Sequence, residues 1–248
     1  MSARPRFVTA GNAGPLTLDG TRTYLVGERA VAVIDAGPAL EPHMSALRHA
    51  VRDAHAVVFV VTHGHSDHAP AARALAAERG VDLWGPGGVE GVTRPLADGD
   101  VVPTDAGDLV VVETRGHARH HIGFHWPAGR AFFAGDLLLG AGDTVWVGEY
   151  AGSVADYLAS LERVRALDVD VVYPAHGPVI ENPPEAIERF ARHRRARIAE
   201  MEELLAQRPT ATTADLVEVL YSSSLPDGLR RAAERSVEAL VAHVRGAR

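Results

Sequence analysis

The run Thr62-His63-Gly64-His65-Ser66-Asp67-His68 follows directly on six apolar residues, Ala56 to Val61, and sets three imidazoles and a carboxylate within six positions. An apolar run of that length reads as a buried strand, and Gly64 and Ser66 let the chain turn sharply at its end. Side chains on a tight loop converge on a small volume. Neutral imidazole nitrogens and carboxylate oxygens suit borderline metals such as zinc, at roughly 2.0–2.2 Å from the ion. The plain alternative is a polar, His-rich surface turn. The preceding strand and further ligands downstream argue against it.

Three later positions repeat the pattern of a His or Asp in a Gly-containing loop after an apolar strand. His117 lies in Thr114-Arg115-Gly116-His117, after Leu109 to Glu113. Asp136 lies in Ala134-Gly135-Asp136, after Phe132-Phe133. His176 lies in Tyr173-Pro174-Ala175-His176-Gly177-Pro178, after Val171-Val172. Loops at strand ends, held by a rigid scaffold, are where layered α/β folds commonly build their sites. The set comprises five His and two Asp. That is enough for two ions sharing one carboxylate and a bridging hydroxide.

The remaining chain alternates strands and helices, which implies an α/β layered architecture. Tyr24–Val26 and Ala30–Ile34 flank Gly27-Glu28 as a hairpin. Helices are expected over Glu41–Asp53, with Pro42 in the first turn, and over Ala69–Arg79, stopped by Gly80. Strands are expected at Val81–Trp84, Leu109–Glu113, Ile122–Trp126, Arg130–Ala134 and Asp170–Tyr173. Val154 to Leu167 reads as an amphipathic helix with Leu158, Leu161 and Val164 on one stripe. Gly85-Pro86-Gly87-Gly88 lacks phosphate-loop spacing and reads as an ordinary loop. After Pro183-Pro184 only helical pattern remains, over Glu185–Gln207, Ala214–Leu220 and Leu229–Val244. The expected division is therefore a catalytic domain at 1–182 and a helical C-terminal domain at 183–248.

Composition narrows the function. The chain has 248 residues, 46% of them hydrophobic, enough for a sizeable core. Cysteine is absent, which excludes disulfides and thiolate ligands and fits a reducing, cytoplasmic setting. Met1 to Arg6 leads into no long apolar stretch, so no secretory leader is expected. No run approaches the roughly 20 apolar residues of a membrane span. A net charge of −7 argues against a broad nucleic-acid footprint. From Glu181 onward 11 Arg face 11 acidic residues, which reads as solvated helix faces with i,i+4 pairs.

These ligand motifs resemble those of the metallo-β-lactamase-fold hydrolase superfamily. The resemblance implies a four-layer αβ/βα sandwich, here with a C-terminal helical appendage, and a dinuclear site at one edge. It implies a first ion on His63, His65 and His117, and a second on Asp67, His68 and His176, with Asp136 bridging. Further segments are similar to the β-lactamase-like protein 2 branch: Asn12 to Pro15, Gly20 to Leu25, Tyr157 to Glu162, His176 to Ile180 and His193 to Arg197. That branch has a winged-helix-like C-terminal segment. Residues up to Arg248 carry no strand-like run, so its β wing is expected to be missing. Arg115 replaces the Pro that usually precedes the third-motif Gly. Flavodiiron relatives carry Glu where this chain has His65, which favours zinc over iron redox chemistry, with iron or manganese as alternatives.

The implied activity is zinc-dependent hydrolysis of a small ester or thioester, two zinc ions per chain supplying a bridging hydroxide at neutral pH. Asp67 is the expected catalytic residue, orienting that hydroxide. A metal-dependent endoribonuclease acting on single-stranded RNA is the second reading. A non-catalytic, metal-stabilised interaction protein is the third, and a homodimer is a further option. His120 and His121 are candidate proton donors or hydrogen-bond partners of ligands. His125 is expected to point off a strand without a catalytic role. Asp35, in Val33-Ile34-Asp35-Ala36-Gly37, either orients a ligand His or forms a turn. Trp84, Trp126 and Trp146 line a pocket or belong to the core.

Overall fold

β-branched runs broken by glycine turns give eleven strands among the residues described, 4–221 and 227–246 of the computed structural model. The first sheet sets β1 (Arg6–Thr9), β2 (Arg22–Val26), β3 (Ala30–Ile34), β4 (Ala56–Val60), β5 (Leu83–Pro86) and β6 (Arg94–Leu96) side by side in that order. β1 to β3 pair antiparallel and β3 to β6 parallel. The second sheet runs β11 (Val171–Pro174), β10 (Ala131–Gly135), β9 (Ile122–Trp126), β8 (Leu109–Glu113), β7 (Val101–Val102).

Burial of both sheet faces explains why the strand residues are nearly continuously apolar. α1 (Glu41–Ala50) and α2 (Pro70–Arg79) cover the outer face of the first sheet, where Met44, Leu47, Ala72 and Leu75 pack on Leu25, Val33 and Phe59. Tyr24, Ile34 and Val60 meet Val111, Phe124 and Phe133 between the sheets. α3 (Ser153–Arg165) covers the outer face of the second, with Tyr157, Leu161 and Val164 against Phe132 and Val172. The result is the four-layer αβ/βα sandwich.

α4 (Pro183–Gln207), α5 (Thr213–Tyr221) and α6 (Asp227–Gly246) extend the α3 layer. Phe190, Met201, Leu216, Val237 and Leu240 belong to the same continuous core as α3 and Phe132. Among the described residues no strand follows β11; residues 1–3 of the expected leaderless start, and Arg248, lie outside them.

Differences from the expected elements are local. Gly85 and Pro86 are not loop but the end of β5, in register with Pro95 and Leu96 of β6. Pairing with a neighbouring strand decides there against weak local propensity. α1 ends at Ala50 rather than Asp53, because Arg52 N–H closes a tighter turn on His49 O at 3.3 Å. On α3 the buried stripe runs through Val154, Tyr157, Leu161 and Val164, and Leu158 is half-buried.

Candidate metal centre

Strand direction gathers the loops. β9 is antiparallel to both β8 and β10, and β10 is parallel to β11, so β8, β10 and β11 all run one way. Their C-terminal ends carry His117, Asp136 and His176 to the edge where β4 delivers the Thr62–His68 loop. Backbone bonds fix these ends: Ile122 N–H donates to Thr62 O at 2.9 Å, Ala175 N–H to Gly135 O at 3.1 Å, and Gly37 N–H to His68 O at 3.1 Å. Gly135 has φ of +50°, and a Cβ there would lie 2.6 Å from Thr62 Oγ1. Only glycine permits that left-handed, close approach.

All seven expected ligands meet there. Nδ1 of His65 is 3.0 Å from Nε2 of both His63 and His117. Oδ2 of Asp67 is 3.2 Å from Nε2 of His176 and 3.5 Å from Nε2 of His68. Asp136 stands between the two clusters. Its Oδ2 is 3.4 Å from His117 Nε2, and its Oδ1 is 3.3 Å from His176 Nε2 and 3.5 Å from His68 Nε2. Three overlapping groups, His63/His65/His117, His63/His68/Asp136 and Asp67/His68/His176, hold their ligand atoms within 4.8 Å of one another.

Oxygen atoms face most of the remaining imidazole nitrogens. His117 Nδ1 is 2.9 Å from Trp146 O, and His63 Nδ1 is 2.9 Å from Thr62 Oγ1, whose hydroxyl donates to Asp35 Oδ2 at 2.8 Å. His68 Nδ1 lies 3.0 Å from that same Asp35 Oδ2, and His176 Nδ1 lies 3.4 Å from Gly20 O. With Nδ1–H directed at these oxygens, Nε2 of His63 and His117 presents a lone pair to the centre. His65 faces the other way, Nδ1 inward.

Both ring nitrogens of His68, with His176 Nε2 and Asp136 Oδ1, are buried without a well-formed hydrogen bond. Orphaned buried atoms of this kind are costly, and a divalent cation held by nitrogen and oxygen donors fits them.

Electrostatics divide the cluster. Burial pushes the imidazoles of His63 well below the ordinary range and of His65 down to about 4, and neighbouring imidazoles add to it. Burial likewise lowers His117. His68 and His176 resist burial because the carboxylates around them, Asp136 and Asp35 for His68 and Asp67 and Asp136 for His176, hold both above the ordinary range. Burial alone would raise the carboxyls of Asp67 and Asp136, but the adjoining imidazoles outweigh it and keep both well below the usual carboxylate range. The site is thus two anionic carboxylates ringed by imidazole donors.

Asp35 does more than turn the chain. It accepts from Thr62 N–H and Thr62 Oγ1, both at 2.8 Å, besides facing His68. His121 is a hydrogen-bond partner: its Nε2 accepts from Asp136 N–H at 3.2 Å and its Nδ1 faces Thr114 Oγ1 at 2.8 Å. His120 is exposed and stacks its ring against Gly88. His125 sits mid-strand on β9, opposite Val110 and Phe132. Trp84 and Trp126 are core, whereas the Trp146 ring lies 5.9 Å from His117 and 6.1 Å from His65.

The pattern of the sequence does not reveal Thr62, Thr114 or the Trp146 carbonyl as supports; a backbone acceptor has no residue signature. It also misses the cleft. A space of about 870 Å³ opens over Asp67 and Asp136, bounded by Leu16, Leu139 and Trp146 and closed on the far side by α4 and α6.

Residues 16–176 match the family model described as the Metallo-beta-lactamase superfamily. The Beta-lactamase-like protein 2 homolog of Caenorhabditis elegans is 32% identical over 246 residues, spanning 92% of this chain and 79% of the relative. The homolog of the same name in Drosophila melanogaster is 28% identical, spanning 91% and 82%. A beta-lactamase domain protein from Burkholderia ambifaria superposes with a TM-score of 0.86 at 22% identity, over 98% of this chain and 86% of that one, and shares the fold.

Proposed function

The chain belongs to the metallo-beta-lactamase superfamily of metal-dependent hydrolases, and from that membership and the site geometry we propose that it hydrolyses a small ester or thioester using two zinc ions. The observation that carries this reading is Asp136, whose two oxygens each face a different imidazole cluster. His63, His65 and His117 would hold one ion, Asp67, His68 and His176 the other, and Asp136 both. A pair of zinc ions so held would supply hydroxide at neutral pH and polarise the carbonyl oxygen.

The chain's own residues supply the rest. The Asp67 side chain is 25% exposed against 9% for Asp136, so Asp67 reaches the cleft and can orient the attacking nucleophile. Asp35, through Thr62 and His68, fixes the ring orientations on both sides. The imidazoles outside the ligand set give the leaving group little help. His121 Nε2 is committed to Asp136 N–H, His120 faces Gly88, and His193 on the far wall, held below its ordinary range by burial, faces Asp143 at 3.3 Å. A thiolate, with a conjugate acid near pKa ~8.5, departs without a proton donor, whereas an alkoxide departs poorly unless a proton donor or a metal ion stabilises it. That favours the thioester.

The test is hydrolysis of an acetyl thioester, p-nitrophenyl acetate and labelled single-stranded RNA, before and after chelation and zinc restoration. Zinc-restored thioester turnover is expected. Turnover of RNA alone would overturn the reading in favour of an endoribonuclease.

A further inference from the structure

The arginines around the cleft are of two kinds. Two that do not line it are paired: Arg195 with Glu162 at 3.3 Å and Arg230 with Glu218 at 2.6 Å. Four line the cleft itself, Arg194 and Arg197 from α4 and Arg231 and Arg235 from α6. Arg194 is 4% exposed, donates from Nη2 to Val145 O at 2.8 Å, and has its Nε buried without a partner. Arg197 bonds Glu200 through Nη1 at 2.6 Å, but its Nη2 is buried without a partner. Arg231 and Arg235 stand four residues apart on one helix face with no carboxylate partner among the described residues. Like charges at that spacing disfavour a helix, and a buried guanidinium short of acceptors is costly.

This charge is fixed relative to the metal centre. Trp146 Nε1 donates to Ala232 O at 3.0 Å, while Trp146 O faces His117 Nδ1 at 2.9 Å. One tryptophan therefore ties the Arg231–Arg235 turn to a metal ligand. The carboxylates lining the cleft are Asp67 and Asp136, and Leu139, Val145, Leu220 and Tyr221 line it as well. One cleft wall thus brings together carboxylates, apolar side chains and guanidinium groups.

We propose that Arg194, Arg197, Arg231 and Arg235 bind an anionic group, a phosphate or carboxylate, at the end of the substrate remote from the scissile bond. This rests on the thioester reading of the same site. It names the substrate class as an acyl thioester whose thiol or acyl arm carries an acidic head beyond an apolar stretch. Guanidinium forks match such oxygens in bidentate fashion. The net charge of −7, with only four arginines gathered at the cleft, fits one anionic head rather than a polyanion track.

The test uses zinc-loaded full-length protein and two acetyl thioesters, of pantetheine and of 4′-phosphopantetheine, which differ only in a remote phosphate. The phosphorylated thioester is expected to have about tenfold or more higher kcat/KM. The double variant R231E/R235E is expected to abolish the preference, and R245E, the same charge change elsewhere on α6, to keep it. Calorimetry with the uncleavable S-methyl thioether of 4′-phosphopantetheine reads binding alone, and about tenfold weaker affinity is expected in the double variant. Equal turnover of both thioesters, with thioether affinity unchanged by R231E/R235E, overturns the anion site and leaves the hydrolase standing. Arginine-dependent thioether binding without turnover of either thioester supports the anion site and overturns the reaction. Cleavage of labelled RNA that the double variant abolishes overturns the proposal.

Discussion

Asp35 Oδ2 lies 3.0 Å from Nδ1 of His68, joining the end of strand β3 to the proposed second metal position. The same oxygen accepts the Thr62 hydroxyl, which in turn faces His63 Nδ1 at 2.9 Å. One carboxylate therefore sets the orientation of an imidazole in each cluster, and it occupies a backbone position with φ of +51°.

Asp35→Asn tests that coupling. Asn tolerates the left-handed backbone but brings one carbonyl oxygen where the carboxylate offers two, and no charge. Zinc affinity is expected to fall about 10–100-fold, measured by competition with a chelator, while the metal-free protein stays folded. Unchanged affinity would mean that Asp35 only forms a turn.

Gly116→Ala tests the close packing beneath His117. Gly116 has φ of +130°, and a Cβ there would lie 2.5 Å from the Tyr157 backbone in α3. The added methyl strains the turn and displaces the helix, so a loss of about 2–4 kcal/mol is expected from denaturant titration. A loss below about 0.5 kcal/mol would contradict the geometry.

Phe190→Ala probes whether the C-terminal helices fold with the sandwich. Phe190 is 1% exposed in the core shared with α3 and β10. Its truncation is expected to cost about 3–5 kcal/mol and to lower a single unfolding transition. Two separated transitions, with only the second affected, would show that residues 183–248 unfold independently.

The pH dependence has a definite sign at His43, which burial holds below the ordinary range. Its Nε2 is 3.0 Å from Thr23 Oγ1, next to the Asp35 carbonyl. A folded-state pKa below the unfolded value of about 6.5 makes its contribution present above that pH and lost as pH falls beneath it. His43→Gln in the metal-free protein is therefore expected to show a smaller loss of Tm than the parent between about pH 7.5 and about pH 5.5. An equal loss in both would place the acid sensitivity elsewhere.

The fold was legible wherever burial wrote a continuous apolar run, as at Ala56–Val61 and Leu109–Glu113. It was not legible where pairing alone makes a strand: Arg94–Leu96 contains a proline and Val101–Val102 is two residues long, and both are sheet edges. The seven ligands could be named because each sits in a loop just after a strand. Their supports could not. His121 differs in nothing local from His120, yet one is buried under Asp136 and the other is exposed, a distinction made by β9 pairing across to β8 and β10. The cleft arginines are likewise indistinguishable in sequence from the paired ones beside them.

Anomalous diffraction from zinc-soaked crystals, with metal content measured on the same protein, tests the central claim most directly. Two zinc ions per chain are expected, one among His63, His65 and His117 and one among Asp67, His68 and His176, with an Asp136 oxygen on each. A single ion, or density away from Asp136, would contradict the account.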